Sequence, residues 1–212
     1  MPTVTKSRLL LLAIAAAITL SALYSVKVIK QGAEAYIFGY PLVLMELTRK
    51  AMAADAKSGI GGNSLAHMRV FPDHNFRKVV RPNDDTLYSI AWFDLSKEPM
   101  IISTPACDRY YVLPFMDAWT NVFATVGTNS TGNEPGHFVL VGPDWQGDLP
   151  TGMKEIKAPT NMVWMIGRVQ TNGKNDIKNV AAFQDQLTIT ALHLWPKGKA
   201  NPTMTIDTIE QM

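Results

Sequence analysis

Thr86-Leu87-Tyr88-Ser89-Ile90-Ala91-Trp92-Phe93-Asp94-Leu95 alternates, and that alternation decides the fold. Leu87, Ser89, Ala91 and Phe93 fall on one parity and Tyr88, Ile90 and Trp92 on the other, which suits a strand buried on at least one face. The period of two recurs at Met100–Thr104, Arg109–Met116, Asn121–Val126, Gly136–Val141 and Asn161–Val169. Pro82, Pro99, Pro105, Pro135, Pro143, Pro150 and Pro159 punctuate these runs. Strands so spaced, with turn signals between them, predict a mainly β domain, an antiparallel β-sandwich or jelly-roll-like fold.

Outside the strands the pattern is helical or irregular. Gln31–Lys50 reads as an N-terminal helical region that Tyr40-Pro41 is expected to kink or restart, because proline lacks a donor and clashes with the preceding turn. Ser58–Ser64, with Gly59, Gly61 and Gly62, reads as a flexible loop. Asp176–Leu187 reads as a short C-terminal amphipathic helix, Pro196–Pro202 as linker, and the last ten residues carry no strong signal. The expected organisation is an anchor or signal peptide over residues 1–30, a β-rich domain over 31–194 and a C-terminal tail over 195–212.

Composition narrows the function classes. Hydrophobic content of 47% and charged content of 18% describe a packed globular chain. A net charge of +2, from scattered basic residues, argues against nucleic acid as a partner. Cys107 is the only cysteine, so no intramolecular disulfide or CxxC pair exists, and a buried small hydrophobe is its expected role.

At the N-terminus, Lys6 and Arg8 precede an uncharged run from Leu9 to Val26, which Lys27 ends. A cationic start before an apolar core is an export signal. The run's 18 residues exceed the roughly 7–15 of a signal peptide core and meet the roughly 17–25 of a spanning helix. Ser21, Ala22 and Ser25 are small, but Leu23 and Tyr24 break a cleavage pattern, and Lys27 and Lys30 follow. This favours an uncleaved membrane anchor holding the domain on the periplasmic side of the inner membrane. The other expectation is release into the periplasm after cleavage.

Two polar clusters could carry chemistry. Arg81-Pro82-Asn83-Asp84-Asp85-Thr86 leads into the first strand, with Tyr88 just beyond; Asn83 and Asp85 serve either a ligand or a capped turn. Asp108-Arg109-Tyr110-Tyr111 is followed by Asp117-Ala118-Trp119-Thr120-Asn121. On a strand starting at Arg109, Arg109 and Tyr111 would share one face. An arginine for an anion and aromatics for a ring suit a polar or aromatic ligand; the alternative is an ion pair from Arg109 to Asp117 or Asp85. The candidate ligand residues are therefore Asn83, Asp85, Tyr88, Arg109, Tyr111, Asp117 and Asn121. His67 and His74 are seven apart with Asp73 between them, His137 and His193 stand alone, and no HExxH occurs. No metal or cofactor is expected from that pattern. GxSxG, GxxxxGK[ST] and GxGxxG are absent.

An ordered set of residues resembles a known family. The set is Glu34-Ala35-Tyr36-Ile37-Phe38-Gly39-Tyr40-Pro41-Leu42, Arg81-Pro82-Asn83-Asp84-Asp85-Thr86-Leu87-Tyr88-Ser89, Asp94-Leu95 with Glu98-Pro99, Arg109-Tyr110-Tyr111, Asp117, Gly142-Pro143, Trp145-Gln146-Gly147 and Gly167-Arg168. It resembles the domain of unknown function 1254 over roughly residues 33–192. The resemblance implies a β-rich, often exported bacterial domain with no established activity. It also implies a companion, the domain of unknown function 1214: either a separate polypeptide supplies it, or this chain is a reduced or truncated member of the family.

Three functions follow as expectations. The first is a domain binding a small polar or aromatic ligand. The second is a hydrolase-type enzyme using Asp85 or Asp117 with Arg109, in which burial would have to raise the carboxylate's pKa against the arginine's pull. The third is an assembly subunit that docks the companion domain.

Overall fold

A computed structural model describes residues 5–54, 60, 62–74, 76 and 83–207. Helix α1 runs from Lys6 to Ala54, and residues through Val43 form one unit while Leu44 onward forms another. The second unit carries strands β1 (Ser64–Met68), β2 (Thr86–Asp94), β3 (Met100–Thr104), β4 (Tyr111–Met116) and β5 (Val122–Gly127). It continues with β6 (Gly136–Val141), β7 (Lys154–Lys157), β8 (Met162–Gln170), helix α2 (Ile177–Gln184), β9 (Thr188–Ala191) and β10 (Thr203–Ile206).

The expected restart at Tyr40-Pro41 is corrected: α1 is one continuous helix of 49 residues with Pro41 inside it. The carbonyl that Pro41 leaves without a donor belongs to Ile37, which is exposed and not sealed in a core. The helix contains an 18-residue window of mean hydropathy 2.3, none of it buried. It is therefore long and apolar enough to cross a membrane and is not packed like a core helix.

The strands form a six-stranded sheet, β10-β1-β2-β8-β4-β5, and a four-stranded sheet, β7-β6-β3-β9. Pairing is antiparallel except for β1 with β10 and β6 with β7. Alternation on β2 sends Leu87, Ala91 and Phe93 inward, where they join Leu113, Phe115, Val163 and Met165 of the same sheet. Met100, Ile102, Phe138, Leu140 and Ile189 of the four-stranded sheet complete that core. Phe183 of α2 closes one end against the Tyr111 ring, with centroids 5.1 Å apart.

The outer face of the six-stranded sheet is apolar too. Trp92 and Trp164 face each other across β2 and β8 and stack at 4.7 Å with planes 4° apart. Met45 and Met52, near the end of α1, join the cluster on this face; the Trp92 indole N–H donates to the Met52 sulfur at 3.2 Å.

Four strands lie where no strand is expected from the pattern. β1, β7, β9 and β10 are four or five residues long, and β10 falls in the stretch expected to be a tail. Lys154-Glu155-Ile156-Lys157 has one apolar residue and no readable alternation; it is a strand because it pairs with β6. The expected loop at Ser58–Ser64 falls mostly outside the described residues, and its end, Ser64, opens β1.

Candidate functional site

The turn before β2 is built from side chain to backbone. The Asn83 amide donates to Thr86 Oγ1 at 2.8 Å, and the Asp85 N–H donates to Asn83 Oδ1 at 3.3 Å. The Thr171 N–H donates to the Asp85 carbonyl at 2.9 Å, which ties this turn to the end of β8. Arg81 and Pro82 lie outside the described residues. Beyond the turn, Thr86, Tyr88, Ile90 and Trp92 point to the outer face by the strand's period.

Tyr88 stands opposite Arg168, which stands opposite Val112, so three strands contribute one row. The Arg168 guanidinium carbon lies 5.7 Å from the Tyr88 ring centroid, a cation–π distance. Among the described residues no carboxylate lies within ion-pair distance of Arg168, although Asp85 is nearby. Asn83, Asp85, Tyr110, Val112, Arg168 and Gln170 line an open depression of about 470 Å³. Asn83 and Asp85 thus share a concavity, with Tyr88 reaching it through Arg168.

Arg109 and Tyr111 go elsewhere. Strand β4 begins at Tyr111, so Arg109 precedes it, and the two side chains do not share a strand face as expected. The Arg109 guanidinium donates to Asp176 at 2.6 Å and to Asp108 at 3.1 Å, where the expectation was Asp117 or Asp85. Asp176 also accepts from the Asn172 N–H at 2.9 Å and the Asn179 amide at 2.7 Å. Those hydrogen bonds, with the Arg109 charge, hold its carboxyl down to about 2. Burial works against the Arg109 charge, but hydrogen bonds to Asp176 and Asp108 outweigh it and raise the pKa. Tyr111 is fully buried; its hydroxyl donates to the Gly132 carbonyl at 3.4 Å, and burial raises its pKa.

Asp117 and Asn121 close the hairpin between β4 and β5. One Asp117 oxygen accepts from the N–H groups of Trp119 and Asn121, both at 2.9 Å, and the other from the Asn121 amide at 3.0 Å. Thr120 takes a positive φ of 70° inside this turn. Six residues of extended chain, about 20 Å, separate Asp117 from Tyr111. The seven candidates therefore divide among a depression, a core position, a partly buried ion pair and a hairpin cap.

Sequence reasoning left Arg168, Tyr110, Val112 and Gln170 out of the ligand candidates, although Tyr110 stands in the Asp108–Tyr111 cluster and Arg168 in the family pattern. One signal was available: Arg168 is the only charged residue in β8, Met-Val-Trp-Met-Ile-Gly-Arg-Val-Gln, and shares a parity with Trp164. A lone charge on a strand whose alternate residues are core points outward.

Comparison with known proteins then places the chain. The family described as "Protein of unknown function (DUF1254)" matches residues 62–191. The chain belongs to the DUF1254 family. No curated protein matches it. Among solved structures it is similar to the VPA0106 protein of Vibrio parahaemolyticus, at 25% identity and a TM-score of 0.61, over 82% of this chain and 41% of that one. It also matches an uncharacterized protein of Burkholderia cenocepacia at 12% identity and a TM-score of 0.35, over 60% of this chain and 36% of that one. This chain spans less than half the length of the Vibrio protein.

Several residues that carry the DUF1254 resemblance have architectural work. A Cβ on Gly167 would lie 2.5 Å from Leu113 Cδ2 and 3.0 Å from the Ser89 carbonyl, so β8 can sit at this depth only with glycine there. Ser89 accompanies a buried polar cluster in the DUF1254 core. Its hydroxyl meets His67 Nδ1 at 2.9 Å and accepts from the Gln184 amide at 3.2 Å, while the Arg69 guanidinium donates to Asp185 at 2.5 Å. Burial, then the Arg69 charge, lowers the His67 pKa to about 4, with Asp185 pulling the other way. His67 is thus a neutral core histidine bonded to Ser89.

Proposed function

We propose that this DUF1254 domain binds a small polar or aromatic ligand at the depression around Arg168 and is tethered to the membrane by α1, on the periplasmic side. The observation that carries the reading is the Arg168 guanidinium, which faces the Tyr88 ring and has no carboxylate partner among the described residues. An unpaired guanidinium suits a bidentate carboxylate, and an adjacent ring suits stacking. Asn83 and Asp85 supply further hydrogen-bonding groups at the same depression. Under this reading Asn83 and Asp85 contribute from the lining, and Tyr88 borders it through the Arg168 guanidinium. The tether rests on the apolar window of α1.

Thermal unfolding of the full chain with benzoate tests the reading, because a ligand of the folded state raises the transition temperature by mass action. Benzoate is expected to raise it, and Arg168→Ala is expected to abolish the shift while leaving the unliganded transition in place. A shift that survives Arg168→Ala would refute the site.

A second reading, docking of a separate companion domain, is favoured by one observation. The Vibrio protein carries more than half of its chain outside the matched part. Under this reading a companion resembling the domain of unknown function 1214 covers apolar surface such as Leu44 and Leu47, which are 47% and 58% exposed. A purified chain that is monomeric and does not aggregate without a companion would count against it.

A further inference from the structure

The depression around Arg168 is one end of a longer strip. Residues of one parity on β8 run Arg168, Ile166, Trp164, and beside them on β4 run Val112, Pro114, Met116. Arg168 is exposed, and the other five are half-buried. The β2 side of the same face is sealed: Ile90 and Trp92 are buried in a cluster with Met45. The strip therefore offers apolar surface with a cation at one end. From Arg168 to Trp164 it covers about 14 Å, at about 3.4 Å per residue, the reach of an extended medium-length alkyl chain.

Resting on the binding reading above, we infer that the ligand is an amphiphile: a carboxylate head held by Arg168 with an alkyl tail laid along Ile166 and Pro114 towards Trp164 and Met116. Charge selects the occupant. A neutral apolar partner would leave Arg168 desolvated and unpaired, whereas a carboxylate answers it with a charge-assisted pair. Each tail methylene that leaves water contributes roughly a three- to four-fold gain in affinity. The stacked Trp92–Trp164 pair gives the tail end a rigid floor.

The test uses the full chain in nanodiscs of zwitterionic lipid and a medium-length fatty acid with a photoreactive diazirine at its tail. Peptide mapping is expected to find the label at Trp164 or Met116. Excess dodecanoate should compete for it, dodecanol and hexanoate much less. Arg168→Ala should reduce labelling on the order of tenfold, the worth of a charge-assisted bond, and Ile166→Glu should reduce it by setting a carboxylate under the alkyl tail. Label confined to α1, or labelling indifferent to Arg168→Ala, would overturn the inference. If benzoate and hexanoate stabilise the fold through Arg168 but tail length adds nothing, the small-ligand site stands and the amphiphile falls. If no carboxylate depends on Arg168, both fall.

Discussion

Acid should unfold this domain through His67 before its carboxylates titrate. The ring is fully buried, and its pKa falls from the ordinary 6.5 to about 4, with burial as the main cause and the Arg69 charge second. The unfolded chain then binds a proton below pH 6.5 that the folded chain refuses until about pH 4. Stability is therefore whole above pH 6.5 and falls with pH through that window. The slope is about 1.4 kcal/mol per pH unit, so the loss between pH 6.5 and 4 is about 3 kcal/mol. Urea denaturation of the full chain in a mild detergent, followed by tryptophan fluorescence at several pH values, reads this directly. With a typical m-value, the midpoint should move down by about 1–2 M between pH 7 and 4.5. In His67→Asn, which keeps a polar atom towards Ser89, the midpoint should change much less over the same range, whatever its absolute stability. The carboxylates held low by their partners, Glu46 and Asp176, both lowered to about 2, lose their contribution as pH falls from their ordinary values of 4.5 and 3.8 towards 2, so only Glu46 touches the foot of this window. Parallel loss of stability in the two proteins between pH 6.5 and 4.5 would refute the reasoning.

Other consequences follow from named contacts. Asp117→Ala removes the acceptor for the Trp119 and Asn121 N–H groups and should cost about 1–3 kcal/mol in chemical denaturation, the penalty for unpaired donors. Gly167→Ala places a methyl group against Leu113 and Ser89 and should cost about 1–3 kcal/mol by overpacking; a neutral effect would show that β8 shifts freely. Arg109→Ala should lower the melting temperature clearly, because it strands Asp176 beside α2, whereas exposed Arg168→Ala should hardly change it. Asp176→Asn should also flatten stability on the acid side, since a carboxyl held near 2 contributes above its unfolded pKa and loses that contribution as pH falls towards 2.

Local pattern was enough for the long strands. Leu87 to Phe93 alternates because one face of β2 meets the opposing sheet, and that periodicity is written in consecutive residues. Gly136–Val141 and Met100–Thr104 are legible for the same reason, with prolines near their ends. The apolar run of α1 is equally local, since it needs only length and the absence of charge. Strands β1 and β10 are different: β1 pairs with β2 on one side, and its Leu65 to Met68 pairs in parallel with Thr203 to Ile206 on the other, registers between residues far apart in the chain. No short window records such a pairing, and a four-residue strand has too few positions to show a period.

The site divides along the same line. Sequence alone determined that Asn83 and Asp85 stand at the mouth of a strand, and that one arginine and two tyrosines occupy positions 109–111. Which arginine is free was a tertiary decision. Asp176, brought in with the start of α2, pairs with Arg109, while Arg168 emerges on the outer face between Tyr88 and Val112 with no carboxylate of its own among the described residues. Charge is carried by each residue type, but pairing depends on distance, and distance is set only when the strands assemble.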